Sequence, residues 1–296
     1  MKKLESHTVP KLDKPVRISD YLPGIFKAVS SKKGIKKAIE KKRVRVNGTY
    51  ARTSKYLNGG EMIELIESKA DLRKPTISLD LNVLYEDDYI AIIDKPAGIV
   101  VSGNKKRTIE NALPTLLQKS NEPDALIRPL PAHRLDFPTS GILIIGKTSQ
   151  AVTALNLAFE HRTINKTYHA ITIGTPPEPK AVIDDVISGK QAISLYEIIE
   201  SIDSEKYECL NLVKLQPTTG RRHQLRIHMH GIGTPILGDP LYYKEGLVSR
   251  GKGLYLHASN VNFPHPITKV AVNVSSILPQ KFRAIFPNQR ESTEEE

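Results

Sequence analysis

The chain has 296 residues, with 43 Lys and Arg against 32 Asp and Glu, for a formal charge of +11. Its 39% hydrophobic and 25% charged residues suffice for a real core, which excludes wholesale disorder and collagen-like repetition. No apolar run reaches the ~18 residues of a membrane span, and the start MKKLESHTVPKLDKP lacks the apolar stretch of a secretory signal. The single Cys209 rules out an internal disulfide and a multi-cysteine zinc site, which fits a reducing cytoplasm. The positive excess favours a polyanionic partner, nucleic acid ahead of membrane.

The length suggests two domains. In the first, a helix is expected from Ile18 to about Val29 and a second from Lys32 to Lys42. Val44-Arg45-Val46-Asn47-Gly48 then reads as a strand entering an Asn-Gly hairpin. From Lys27 to Lys55 there are eleven basic residues, opposed only by Glu40. On the second helix Ile35, Ala38 and Ile39 supply the core face and the lysines turn outward. A charge run is usually a solvated face, but one sign of charge on a short folded unit is what a phosphate backbone selects. Lys32, Lys33, Lys36, Lys37, Arg43 and Arg45 are the candidate RNA contacts. Arg17-Ile18-Ser19-Asp20-Tyr21-Leu22, Ser31-Lys32-Lys33, Ile39 and Val44 to Gly48 resemble the S4 RNA-binding domain, over residues 14–70. Lys42 stands where that family often has Gly before the strand.

Residues 67–79 read as a polar linker. Beyond it, Asn82 to Tyr85 and Tyr89 to Asp94 are two strands around the acidic turn Glu86-Asp87-Asp88; Lys95-Pro96-Ala97-Gly98 turns the chain again, and Ile99-Val100-Val101 continues it. Ile142 to Ile145 is a buried strand by composition. Ser149 to Arg162 is an amphipathic helix, capped by Ser149, with Val152, Leu155, Ala158 and Phe159 on one face. Strands follow at Thr167–Thr175, Leu210–Gln216 and Val270–Val274, and the tail 291–296 should be frayed. The expected fold class is α+β, with a mixed, largely antiparallel sheet over residues 80–288 behind the small N-terminal α/β unit.

Gly141-Ile142-Leu143-Ile144-Ile145-Gly146-Lys147-Thr148 matches the phosphate-loop pattern G-x-x-x-x-G-K-T letter for letter. Such a loop needs pliable backbone whose N–H groups converge on an anion. Four consecutive aliphatic residues specify a buried strand instead, so the match is coincidental. His223, His228 and His230 invite a metal reading, but they lack the i, i+4 pairing of a zinc helix and have no nearby carboxylate or thiol except Asp239. One face of a basic helix on RNA suits them better.

Two long motifs flank that strand. The first is His133-Arg134-Leu135-Asp136-Phe137-Pro138-Thr139-Ser140-Gly141. The second is Gly220-Arg221-Arg222-His223-Gln224-Leu225-Arg226-Ile227-His228, followed by Pro235-Ile236-Leu237-Gly238-Asp239-Pro240-Leu241-Tyr242. Together they closely resemble the RluA-type family of pseudouridine synthases. Asp94-Lys95-Pro96-Ala97-Gly98, Lys166-Thr167-Tyr168 and Leu254 to Ala258 agree in order. Phe137 departs from the family, which often has a polar residue there.

The resemblance implies an enzyme that isomerises uridines of structured RNA, ribosomal or transfer, to pseudouridine. It would need no cofactor, metal or obligatory protein partner; the sequence does not reveal the oligomeric state, and a monomer is the default expectation. Asp136 matches the catalytic carboxylate, attacking the sugar or removing a sugar proton as charge develops at C1′. Arg226 would pair with it at the pocket floor, Tyr168 would face the uracil, and Arg134 would fill the gap left by the extruded nucleotide. Arg221 and His223 join the RNA contacts. A non-catalytic RNA-binding or ribosome-assembly protein would be expected to have lost Asp136.

Overall fold

The computed structural model describes residues 3–29, 31–67, 74–247, 251 and 253–287. The linker read over 67–79 lies partly, and the tail 291–296 wholly, outside the described residues.

The N-terminal unit contains β1 (Lys3–Thr8), β2 (Val16–Arg17), α1 (Ile18–Tyr21), α2 (Lys32–Glu40), β3 (Val44–Val46), β4 (Thr49–Tyr50), β5 (Tyr56–Leu57) and β6 (Met62–Ile66). Antiparallel pairing gives a sheet ordered β1-β6-β3-β4, with β2 and β5 as a separate ribbon. Because β1 pairs with β6, this unit reaches back to Lys3, ahead of residue 14. The helix expected over 18–29 ends at Tyr21. Pro23 and the left-handed Gly24 (φ +81°) turn the chain, although Leu22 and Phe26 still enter the core. Ser31 caps α2 by accepting from Gly34 N at 3.1 Å, and α2 stops at Glu40 rather than Lys42. Lys42 is left-handed (φ +55°), and Arg43 N donates back to Ala38 O at 2.8 Å, closing the helix. Glycine would occupy that φ without the ~1–2 kcal/mol that a Cβ costs there. Asn47 and Gly48, both at positive φ, form the expected hairpin turn.

The larger unit has fourteen elements. They are β7 (Val83–Glu86), β8 (Ile90–Lys95), α3 (Ile109–Leu116), β9 (Ala125–Pro131), β10 (Ser140–Thr148), α4 (Ser149–Glu160), β11 (Asn165–Ile173), β12 (Lys180–Ile187), β13 (Lys190–Ser204), β14 (Glu208–Pro217), α5 (Gln224–Gly231), β15 (Leu256–Pro264), β16 (Ala271–Ser275) and α6 (Gln280–Arg283). The strands form one sheet ordered β12-β13-β14-β11-β15-β10-β8-β7, with β9 on β10 and β16 on β15. Every pairing is antiparallel except β10 with β15. The sheet is therefore mixed and largely antiparallel, as the α+β expectation requires.

Ile142 to Ile145 are fully buried at its centre. At ~1.5–3 kcal/mol per buried aliphatic side chain this stretch is a principal anchor of the core. It pairs residue for residue with β8, and Lys147 is held by Glu86 at 2.7 Å, so the phosphate-loop pattern is a strand. Two local expectations change. Thr148, not Ser149, caps α4 by accepting from Ala151 N at 3.1 Å, while Ser149 Oγ donates to Ala28 O of the N-terminal unit at 2.9 Å. Lys95 to Gly98 turn the chain as expected, but Ile99 to Val101 form no strand beyond the turn. Lys95 Nζ donates to Pro96 O and Ile99 O, curling the chain, and Val100 makes only an isolated bridge to Thr108. Among the described residues no helix is long and apolar enough to cross a membrane.

Candidate active site

β10 and β15 start side by side, with Ser140 opposite His257 and Gly141 opposite Ala258. Gly141 is left-handed (φ +109°), and a Cβ there would collide with the Ala258 backbone, so only glycine allows this approach. The junction fixes the foot of the loop 132–139. Within that loop, Thr139 N donates to Asp136 O at 3.1 Å, and Phe137 O accepts from Gly98 N at 2.8 Å. These bonds present the Asp136 carboxylate, 19% exposed, to a cleft of about 640 Å³.

Opposite stands α5, entered through the left-handed His223 (φ +57°). Gln224 locks its start: Oε1 accepts from Thr219 Oγ1 and Arg221 N, while Nε2 donates to Ile193 O and Ser194 Oγ. Further along, Arg226 is almost wholly buried, and all three of its nitrogens donate to carboxylates. Nε and Nη2 donate to Asp239 Oδ2 and Oδ1 at 2.7 and 2.8 Å, leaving Nη1 to donate to Asp136 Oδ2 at 3.3 Å. Asp239 is itself fixed by Leu241 N and Tyr242 N, and the guanidinium lies 5.2 Å from the Tyr242 ring centroid. Burial alone would lower the Arg226 pKa, but the two carboxylates more than offset it and hold the guanidinium charged.

The expected Asp136–Arg226 contact is thus present, but the tighter, bidentate partner is Asp239. The sequence places Asp239 within the Pro235 to Tyr242 motif but assigns it no role in the site. Its signal was the sharp Gly238-Asp239-Pro240 turn, where a Cβ on Gly238 would strike Gly253 O.

Tyr168 lines the same cleft from β11, and burial, then the nearby Asp136, pushes its phenol well above the ordinary tyrosine value. Lys95 lies buried behind the loop; burial lowers its pKa to about 8 even though Asp136 and Asp94 pull the other way. A lone lysine ending the apolar run Ile90 to Ile93 was the available sign of this second missed residue. His133 is pushed down to about 3 by burial and by Lys166, accepts from Ile144 N at 3.0 Å and packs on Phe159. It is a neutral prop for the loop.

Arg134 is exposed at the cleft mouth, and Arg221 lines it while giving Nε to Gln191 O. His223 Nε2 lies 3.8 Å from Asp136 Oδ2, its Nδ1 3.1 Å from the Tyr242 hydroxyl, and burial lowers its pKa. The expectation of one histidine face toward RNA fails. His223 caps the helix and His230 is exposed, but His228 is buried with both ring nitrogens unpartnered. His223 and His230, seven residues apart, both flank the Tyr242 ring, with centroids 5.8 and 6.2 Å away, while His228 turns into the core.

Lys32, Lys33, Lys36, Lys37, Arg43 and Arg45 are not brought to the cleft; they belong to the N-terminal unit. Lys32 pairs with Asp20 at 2.6 Å, Arg43 Nε donates to Ile66 O, and Arg45 stacks 4.8 Å from the Tyr50 ring centroid. Lys33, Lys36 and Lys37 are exposed. Among the described residues no group of three or more His, Cys, Asp or Glu could hold a metal ion.

A mixed, largely antiparallel sheet carrying an Asp loop against a buried Arg is the arrangement of the pseudouridine synthases, and the comparisons agree. Residues 89–231 match the family described as RNA pseudouridylate synthase. The chain belongs to this family.

Within it the chain belongs to the RluA type. It is 30% identical to ribosomal large subunit pseudouridine synthase C of Rickettsia felis over 91% of this chain and 95% of that one. It is 31% identical to synthase D of Xanthomonas campestris pv. campestris over 84% and 81%. The solved structure of human RNA pseudouridylate synthase domain containing 4 shares the fold, with a TM-score of 0.57 and 24% identity over 71% of this chain and 93% of that one. The protein is an RNA pseudouridine synthase.

Proposed function

We propose that this enzyme modifies uridines of large-subunit ribosomal RNA, as a cytoplasmic monomer that needs no cofactor. The substrate is suggested by the relatives named as large-subunit synthases C and D. The observation that carries the site assignment is the buried Asp239–Arg226–Asp136 chain on the wall of a cleft otherwise rich in basic residues.

The reaction breaks N1–C1′, turns the base and forms C5–C1′. N1 gains a proton and C5 loses one, so nothing is oxidised and no water is consumed. Asp136 acts at the sugar, where cationic charge develops as the glycosidic bond opens. Arg226, itself fixed by Asp239, holds that carboxylate in direction, which a single-point donor would do poorly. Tyr168 faces the base and stays protonated at neutral pH, so its hydroxyl can donate as well as accept. Arg134, exposed beside the loop, occupies the place of the extruded nucleotide, whose unstacking costs a few kcal/mol.

Residues 14–70, together with β1, act as an S4-like RNA-binding unit through Lys32, Lys33, Lys36, Lys37, Arg43 and Arg45, with Arg221 and His223 adding contacts at the cleft. The exposed lysines of α2 supply affinity by displacing counterions. Mapping pseudouridines in total RNA from cells with and without this protein tests the reading. Sites lost from large-subunit ribosomal RNA are expected, and losses confined to transfer RNA would overturn the substrate assignment.

A further inference from the structure

On β11, Lys166 and Tyr168 are two residues apart and both line the catalytic cleft. The other deeply placed lysines have acceptors: Lys95 donates to Pro96 O and Ile99 O, Lys147 to Glu86, and Lys281 to Leu254 O. The Lys166 ammonium makes no hydrogen bond or ion pair among the described residues. It lies only 5.9 Å from the Phe159 ring centroid. Burial lowers its pKa, and no carboxylate acts against that, although Asp136 and Glu160 line the same cleft. A half-buried cation without an anion has lost part of its hydration and gained nothing in return. Such a site is poised for an anionic ligand that enters the cleft. Arg162, left-handed at the end of α4, adds a second cation on this wall, and Phe159 with His133 makes it apolar.

We infer that Lys166 is a substrate-binding residue that takes a phosphodiester flanking the target uridine, so that backbone capture and presentation of the base to Tyr168 come from one strand. Phosphate is favoured over a uracil carbonyl because a partly desolvated ammonium gains more from a full negative charge. The inference rests on the cleft being the RNA site, but not on which RNA is the natural substrate.

The test uses the full chain and a short uridine-containing RNA that it modifies. Lys166→Met keeps the stem that packs on Phe159 and removes the charge, whereas Lys166→Arg keeps the charge. With Lys166→Met, KM should rise about tenfold with kcat changed less than about twofold, and the log–log salt slope of binding should fall by ~0.7. Lys166→Arg should recover most of the loss. A neutral methylphosphonate at the contacted linkage should weaken wild-type binding by a similar factor and leave Lys166→Met unaffected. An unchanged salt slope, or equal sensitivity of both proteins to every methylphosphonate, would overturn the assignment. So would a fall in kcat with KM preserved, which would mark Lys166 as a proton-transfer group. Binding is read separately from turnover, so a wild type that binds this RNA but leaves ribosomal RNA unmodified in cells would count against the substrate proposal and leave the Lys166 result standing.

Discussion

The two units spend positive charge in opposite ways. In the cleft, Arg226 is buried, with Nε and Nη2 donating to Asp239 and Nη1 to Asp136. On α2, Lys33, Lys36 and Lys37 are exposed, and Lys32 is in an ion pair more than half open to water. A buried, bidentate charge is worth its geometry, and losing one partner leaves an uncompensated ion. An exposed cation is screened within ~10 Å at moderate salt and contributes affinity without direction. The same side-chain chemistry therefore aims a carboxylate in one place and stays open to solvent in the other. Substitutions should separate the two.

The largest effect is expected at Asp136. Asp136→Asn preserves size and removes the charge, so turnover should fall ~10³-fold or more, about 4 kcal/mol of barrier, while RNA affinity and melting temperature stay near wild type. Turnover within about tenfold of wild type in this variant would put the chemistry elsewhere. Next comes the Arg226 pairing. Arg226→Lys should lower kcat by ~10–100-fold with little change in RNA affinity, because one ammonium cannot reproduce three directed bonds. Asp239→Ala should be worse for the fold than for binding. It strips the bidentate partner from a buried guanidinium, a change of ~3–5 kcal/mol in stability that a thermal or denaturant melt would register.

These experiments bear on residues that differed in legibility. Asp136, Tyr168 and Arg226 were readable because motifs carry them, and the ninety-residue separation of Asp136 and Arg226 is closed by the sheet. Asp239 was in plain view but had no partner until α5 and the Gly238 turn were in place. Lys95 shows the same limit, since its acceptors are backbone carbonyls that exist only once the chain after β8 curls. Among the elements, the uninterrupted aliphatic run of β10 and the Asn47-Gly48 hairpin were legible from local chemistry. The helix over 18–29 was not, because Leu22 and Phe26 satisfy a helical apolar pattern that Pro23 and Gly24 break. The burial of His228 apart from His223 and His230 was hidden for a related reason: sequence spacing did not say which face of α5 the core would claim.

The N-terminal unit gives a smaller, purely electrostatic effect. Replacing Lys33, Lys36 and Lys37 together by Gln should reduce the salt slope of RNA binding by up to ~2, at ~0.7 per contact, with kcat at saturating RNA unchanged. If the slope holds, these lysines are only a solvated face.

Acid should divide the units as well, by the smallest margin. His257 is buried at the β10–β15 junction, its Nδ1 2.9 Å from Ser140 Oγ and its Nε2 3.1 Å from Ser276 Oγ. Burial, with His169 nearby, lowers its pKa to about 4, and burial does the same to His169. Both values lie below the ~6.5 of an unfolded histidine, so the unfolded chain binds more protons between those limits. The stability these neutral rings contribute is complete above about pH 6.5 and is lost as pH falls toward 4, at up to ~1.4 kcal/mol per pH unit for each ring. Melting temperature should therefore drop from pH 7 to pH 5. His257→Gln, which keeps a donor and an acceptor for the two serines, should start lower at pH 7 and fall less steeply. Because both rings stay neutral in the folded chain down to about pH 4, activity well below the melting temperature should not follow this loss between pH 7 and pH 5. A melting temperature that is flat from pH 7 to pH 5, or a slope unchanged in His257→Gln, would mean that acid acts through other groups.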